Sequence, residues 1–266
     1  MKKFVLCLLL ASLVLCACSP AAVDDNSPPP IAHQQPQPDQ TTPDDITEQT
    51  PPPPPEHSQL YLPDYTREQV WEYFREVVLD MEYSDGTGDV TLVQKWASPI
   101  VYRIYGEPTQ EDRQVLSALF AQLNEIPGFP GIHAAQDGEP ENLSISFLNA
   151  DAFRNQFAAV VNGEYAYGAT QFWYYTATND IYTARIGYRT DLDQSTRNSI
   201  LPEEIINTLG ITDTVLREDS IVYQYSDENT TLSDMDWLIL KLLYNPAIGC
   251  GMNADACAAA IEQLYY

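Results

Sequence analysis

The stretch from Ser19 to Ser58 limits everything that follows. It carries twelve of the chain's twenty prolines, five of them consecutive at Pro51 to Pro55, with Gln, Thr, Asp and Ser between them. Such a segment buries too little apolar surface to offset the entropy of ordering a chain, so it is expected to stay disordered and partly extended. In polyproline II form, at about 3.1 Å per residue, it would reach on the order of 100 Å. Folding is thereby confined to Gln59 to Tyr266, a length that suits one domain with a substantial core.

Upstream of the proline-rich stretch, Lys2 and Lys3 precede an apolar run, Phe4 to Leu15. A spanning helix needs about 20 apolar residues, so this run is expected to be an export signal. The sequence Leu15-Cys16-Ala17-Cys18 resembles the lipobox of bacterial lipoproteins, with Ala17 as the small residue before the lipidated cysteine. The resemblance implies a signal peptide over 1–17, a lipid on Cys18 and a tether over 18–58, with 59–266 as the folded domain. The chain would then be exported and anchored through that lipid to the outer face of a bacterial membrane. A cleaved signal without lipid is the plainer alternative.

The formal charge of −25 argues against nucleic acid and anionic membrane surface as partners. Solubility is the bland account of it, and no D-x-[DN]-x-[DN]-G calcium loop occurs in the sequence. In the domain only Cys250 and Cys257 remain, seven apart, and in an exported chain they are expected to form a disulfide. Asn253 is the expected cap of the helix that follows, which places Cys257 in its first turn. No further ligand lies nearby in sequence to make zinc with this pair, nor a histidine to make either thiol a nucleophile.

Hydrophobic spacing then lays out an α+β domain. Thr66-Arg67-Glu68-Gln69 is a capping-box pattern that leads into a helix with Val70, Phe74, Val77, Val78 and Met81 on one face, and Asp85 to Gly88 closes that unit. Trp96 to Gly106 reads as one strand, with Pro99 placing its start near an edge. Thr109 caps a long helix to Ile126, and Asn142 to Leu148 alternates as a half-buried strand. A short helix is expected over Asp151 to Val161. Two aromatic and β-branched strands within Phe172 to Tyr188 meet at Asn179-Asp180. Helices follow to the end, so a mixed sheet covered by helices is expected.

The chemistry, if there is any, lies on the helix from Ser195 to Gly210. Glu203 and Asn207 are four apart and share one face, and Glu204 projects beside them. That is the spacing with which H-E-x-x-H holds zinc and positions a glutamate to activate water. The plain alternative makes Glu203 and Glu204 acidic residues near a helix start, with Pro202 at the first helical position. His33 and His57 lie in the tether, which leaves His133 alone in the domain, in the expected loop Pro127 to Gly138. A three-histidine zinc site is therefore excluded within one chain.

The longer metzincin pattern, H-E-x-x-H-x-x-G-x-x-H/D, can be laid over this stretch without a gap. Glu203, Asn207 and Asp213 then stand at the ligand positions, Glu204 at the general base and Gly210 at the glycine turn. Ser220-Ile221-Val222-Tyr223 resembles the Met-turn, with Val222 in place of methionine. The combination is still more similar to a bacterial family known as domain of unknown function 2927. The matching segments are Glu203 to Ile211, Ser220-Ile221, Leu232 to Asp236, Leu240 to Pro246 and Gly251-Met252. Asn207 and Asn245 depart from that family's glutamine and aspartate.

The resemblance implies a zincin-like fold whose active-site helix is degenerate. Two carboxylates and an amide oxygen suit calcium or magnesium better than zinc, and such ions activate water far less. No cofactor is therefore expected. The expected function is a non-catalytic binding or assembly module at the cell envelope, with a protein or peptidoglycan partner held where Trp173 and Tyr175 line the old cleft. A divergent metal-dependent peptidase or cell-wall hydrolase with Glu204 as general base is the alternative. A purely structural envelope lipoprotein is a third.

Overall fold

The computed structural model describes residues 58, 60–79, 92–159 and 166–266. The expected signal, Cys18, the expected tether as far as His57, with His33, Asp85 to Gly88, and the end of the expected 151–161 helix lie outside the described residues. Among those described, the strands are β1 (Lys95–Trp96), β2 (Ile100–Tyr105), β3 (Ile132–Ala134), β4 (Leu143–Leu148), β5 (Gly168–Tyr174) and β6 (Asp180–Arg189). The helices are α1 (Arg67–Phe74), α2 (Gln110–Leu123), α3 (Ala150–Gln156), α4 (Gln194–Thr208), α5 (Asp234–Leu243) and α6 (Ala254–Leu264). A π-helical turn, Arg75–Leu79, prolongs α1.

The expected capping box at Thr66 is formed, and the expected cap Thr109 forms one as well. Thr66 accepts from the Gln69 amide while the Gln69 side chain accepts from the Thr66 amide, and Thr109 and Asp112 do the same for α2. Each exchange satisfies two N–H groups that a helix start would otherwise orphan. The sheet runs in the order β1-β6-β4-β2-β3, with β5 on β6. All pairs are parallel except β5 with β6. The β5–β6 hairpin turns at Asn179, whose φ of 61° is the left-handed conformation that asparagine tolerates.

Alternation divides the sheet into two faces. Leu143, Ile145 and Phe147 of β4 are buried on the face covered by α2 and α4. On the opposite face, Phe153 of α3 and Phe157 just after it pack with Ala169 in a smaller cluster. Helices α1, α5 and α6 pack together and share the main core.

Two strand expectations are corrected. The single strand from Trp96 to Gly106 is two, because Pro99 has no N–H to give a ladder. Before it β1 pairs with β6, and after it β2 lies inside the sheet between β3 and β4 rather than at an edge. Asn142 spans the break, donating to the Pro99 carbonyl at 3.0 Å and accepting from the Val101 amide at 2.7 Å. The expected loop around His133 contains the short strand β3, too brief to show a period.

The expected disulfide is also corrected: Cys250 and Cys257 are free thiols. Asn253 caps α6 as expected, accepting from the Ala256 amide at 3.0 Å. Each sulfur has its own packing site, however. Cys257 is fully buried, and Cys250 points to the Lys95 carbonyl at 3.6 Å. Burial pushes both thiols up to about 11, and a hydrogen bond with Asp180 adds to this for Cys250.

A folded value above the unfolded value of about 8.5 means that the thiols' stabilisation is full below pH ~8.5 and is lost as pH rises through 11. Burial holds the Lys95 ammonium below its ordinary value, which acts with the opposite sign. Alkylation read peptide by peptide separates the two. Both native thiols should react slowly at pH 8 and reach half-maximal rate near pH 11, against about 8.5 in denaturant.

Candidate functional site

Helix α4 is held at both ends by specific partners. Asp193 caps its start, accepting from the Thr196 amide at 3.0 Å. At its end the Trp96 indole donates to the Thr208 carbonyl at 2.8 Å and the Tyr244 hydroxyl to the Leu209 carbonyl at 3.1 Å. These are carbonyls that a helix end leaves without an intrahelical partner. Gly210 then takes φ +94° and reverses the chain. Pro202 is not at the first helical position but well inside the helix. Glu203 and Glu204 are therefore not first-turn acids, and their exposures of 2% and 4% rule out a solvated face. The helix begins at Gln194, within one residue of the expected Ser195, so the alternative with Pro202 at the helix start is the reading that falls.

The turn at Gly210 brings Asp213 back to the helix. The Asn207 side-chain amide donates to Asp213 Oδ1 at 3.3 Å, and both residues are buried. Glu203 lies one turn earlier on the same face. Glu204 lies against β5, where its Oε1 is 2.4 Å from the position a Cβ on Gly168 would take. Thr170 of β5 donates to the Glu204 backbone carbonyl at 2.9 Å. Beneath, Tyr188 of β6 donates to the Leu201 carbonyl at 2.7 Å. Burial raises its phenol well above the ordinary value, and the charges of Glu204, Glu203 and Asp112 add to that. Asp112 itself forms a buried ion pair with Arg197, tying α2 to α4.

The segment after Asp213 is fastened to its surroundings. The Thr212 amide donates to the Val77 carbonyl at 2.8 Å, and the Thr214 hydroxyl to Glu76 at 2.6 Å. Thr214 also bridges to the turn at Ser220 to Tyr223, donating to the Val222 carbonyl at 2.9 Å. Ser220 and Val222 are buried there. What holds the turn is Asp236. Its Oδ1 accepts from Ser220 at 2.7 Å and lies 2.8 Å from the Tyr73 hydroxyl, and its Oδ2 accepts from the amides of Ile221 at 3.0 Å and Ser233 at 2.9 Å. Burial, then the Asp236 charge, raises the Tyr73 phenol well above its ordinary value. Tyr73 carries no signal in the sequence, and Asp236 enters there only as the end of the family-like segment Leu232 to Asp236, although Ser233-x-x-Asp236 is a readable capping box.

The two expected cleft residues do not share a cleft with α4. Thr170 and Gly168 face α4, so alternation sends Gln171 and Trp173 to the other side, where the Arg185 guanidinium lies 5.8 Å from the Trp173 ring. Tyr175 stands exposed beyond the end of β5 and stacks on Tyr182, ring centroids 4.5 Å apart.

The donor set does not fit zinc. Asp213 receives an amide N–H from Asn207, where a metal would need an electron pair. Among the described residues no three His, Cys, Asp or Glu side chains converge as a metal site. His133 sits on β3 at the sheet edge remote from α4, in contact with Glu139 at 3.1 Å. Glu204 is as enclosed as its neighbours, so as placed it has no open approach for a scissile carbonyl, which a general base must reach within hydrogen-bond distance.

Fold and site together define an α+β protein with a mostly parallel mixed sheet and a closed polar cluster on the helix after its last strand. The family model described as a protein of unknown function (DUF2927) matches residues 67–263, and the chain belongs to that family. No curated protein matches it. No helix among the described residues is long and apolar enough to cross a membrane.

Proposed function

We propose that this chain is an exported, lipid-anchored module whose zincin-like domain holds an extended partner segment at the cell envelope without cutting it. The observation that carries the reading is β5. It is an antiparallel edge strand that pairs with β6 on one side and, among the described residues, with no strand on the other. An open edge of this kind recruits an extended chain through main-chain hydrogen bonds. It lies directly against α4, whose would-be ligand positions are buried and partly bonded to each other. The zincin reading is supported by the sequence of parts: a long helix after the last strand, a glycine turn, Asp213 returning to Asn207, and the Ser220–Val222 turn beside them.

One observation favours the hydrolase alternative. Asn207 Oδ1 is buried and has no hydrogen-bond partner among the described residues, and a hard cation would satisfy such an oxygen. The two readings separate by elemental analysis of the chain purified without chelator, together with thermal unfolding in zinc, calcium and EDTA. The binding reading expects no stoichiometric metal and the same unfolding midpoint in all three. One tightly held ion per chain, or a peptidase or cell-wall hydrolase activity abolished by Glu204→Gln, overturns it.

A further inference from the structure

The sheet face turned away from α4 carries a row of residues in register across four strands: Arg103 of β2, Ser144 of β4, Arg185 of β6 and Gln171 of β5. The two arginines differ in one respect. Arg103 is neutralised, with its Nε on Glu141 at 3.2 Å and its Nη2 on the Glu139 carbonyl at 3.0 Å. Arg185 has no carboxylate within ion-pair distance among the described residues. Its Nε donates to Gln171 Oε1 at 2.8 Å, and its guanidinium carbon lies 5.0 Å from the Phe157 ring and 5.8 Å from the Trp173 ring. The group is thus half-buried, fixed in direction by Gln171 and steadied by two aromatic rings, and its Nη atoms are uncommitted among the described residues.

In a chain with 38 Asp and Glu against 13 Lys and Arg, a cation built in this way and, among the described residues, left without a carboxylate calls for an external one. Its position says where that carboxylate would come from. The Arg189 amide donates to the Tyr167 carbonyl. Alternation therefore turns the backbone groups of Gly168, Thr170 and Phe172 outward, up to the irregularity after Trp173. A strand added there lies about 5 Å from β5 and about 10 Å from β6. The side chains of an arginine and a glutamate together span that distance.

We propose that Arg185 is the carboxylate anchor for the strand that β5 accepts, and that the ligand is an extended peptide with Glu or Asp on the Arg185 face. This rests on the reading of β5 as a docking edge. A planar guanidinium with both Nη groups available takes a carboxylate in a two-pronged, charge-assisted bond, which a neutral amide cannot match.

The test uses the full chain and two sets of fluorescein-labelled decapeptides, one alternating Thr with Glu and the other Thr with Gln, followed by anisotropy at low salt. The wild-type chain should bind the Glu set at least about tenfold more tightly, despite its own net negative charge. In Arg185→Gln the preference should invert, because only the general repulsion remains, while binding of the Gln set persists. Arg185→Lys should recover only part of the preference. Circular dichroism of each variant checks that the fold is kept. Equal binding of both sets by wild type, or a Glu preference that survives Arg185→Gln, overturns the anchor and leaves the docking edge standing. Binding of neither set overturns the docking edge and the anchor with it.

Discussion

Gly210→Ala should remove about 2–5 kcal/mol of folding stability, a large share of the 5–15 kcal/mol typical of a domain. Two independent causes add. At φ +94° an L-residue carries left-handed strain of roughly 1–2 kcal/mol. A Cβ there would also stand 2.0 Å from the Gln94 carbonyl oxygen, and forcing the two apart costs about 1–3 kcal/mol. The clash is with backbone next to β1, so it cannot be relieved by a side-chain rotation. Gly138→Ala is the internal control. Its φ is +80°, yet nothing lies within 4 Å of an added Cβ. Urea denaturation should show a loss of about 1–2 kcal/mol for Gly138→Ala and clearly more for Gly210→Ala. Equal losses would mean that the turn relaxes freely and does not position Asp213.

Asp236→Ala should be comparably severe, at about 3–5 kcal/mol. The carboxylate, 4% exposed, is at once the capping-box partner of Ser233 and the acceptor for Ser220, Tyr73 and the Ile221 amide. Loss of a cap costs about 1 kcal/mol, and each buried donor left without an acceptor costs about 1–3 kcal/mol. Asp236→Asn can keep its oxygen on the Ile221 and Ser233 amides, but its N–H2 cannot accept from the Ser220 hydroxyl, so it should rescue only part of the loss. Ser233→Ala removes the cap alone and should cost only about 1 kcal/mol. If Asp236→Ala costs no more than Ser233→Ala, the bonds to the Ser220 turn contribute nothing, and the turn is held by the packing of Ile221 and Val222.

The parts of the fold that were legible in the sequence are those set by neighbours in the chain. Thr66, Thr109 and Asn253 are caps because a short oxygen side chain meets an N–H three residues on, and β4 shows its alternation because one face is buried along its whole length. The candidate site was half legible. Spacing on one helix placed Glu203 and Asn207 on one face, and the glycine turn implied the return of Asp213. It left open whether Pro202 opens the helix or sits inside it, and it could not show that both glutamates are buried, since the same letters suit a solvated first turn.

Particular pairings across the chain account for the rest. Trp173 reads as a cleft residue until the register of β5 on β6 sends it to Arg185, on the face away from α4. Cys250 and Cys257 read as a disulfide until packing gives each sulfur a separate site. Trp96 to Gly106 reads as one strand until β1 and β2 take different neighbours. Residue order alone determined where helices begin, which strands alternate and which polar groups share a helical face, because those depend on contacts within about four residues. Which face of the sheet each strand serves, and which charges meet or stay unmet, was decided only when residues as far apart as Arg103 and Arg185 were brought into one row, because register is a property of the paired strands and not of either sequence by itself.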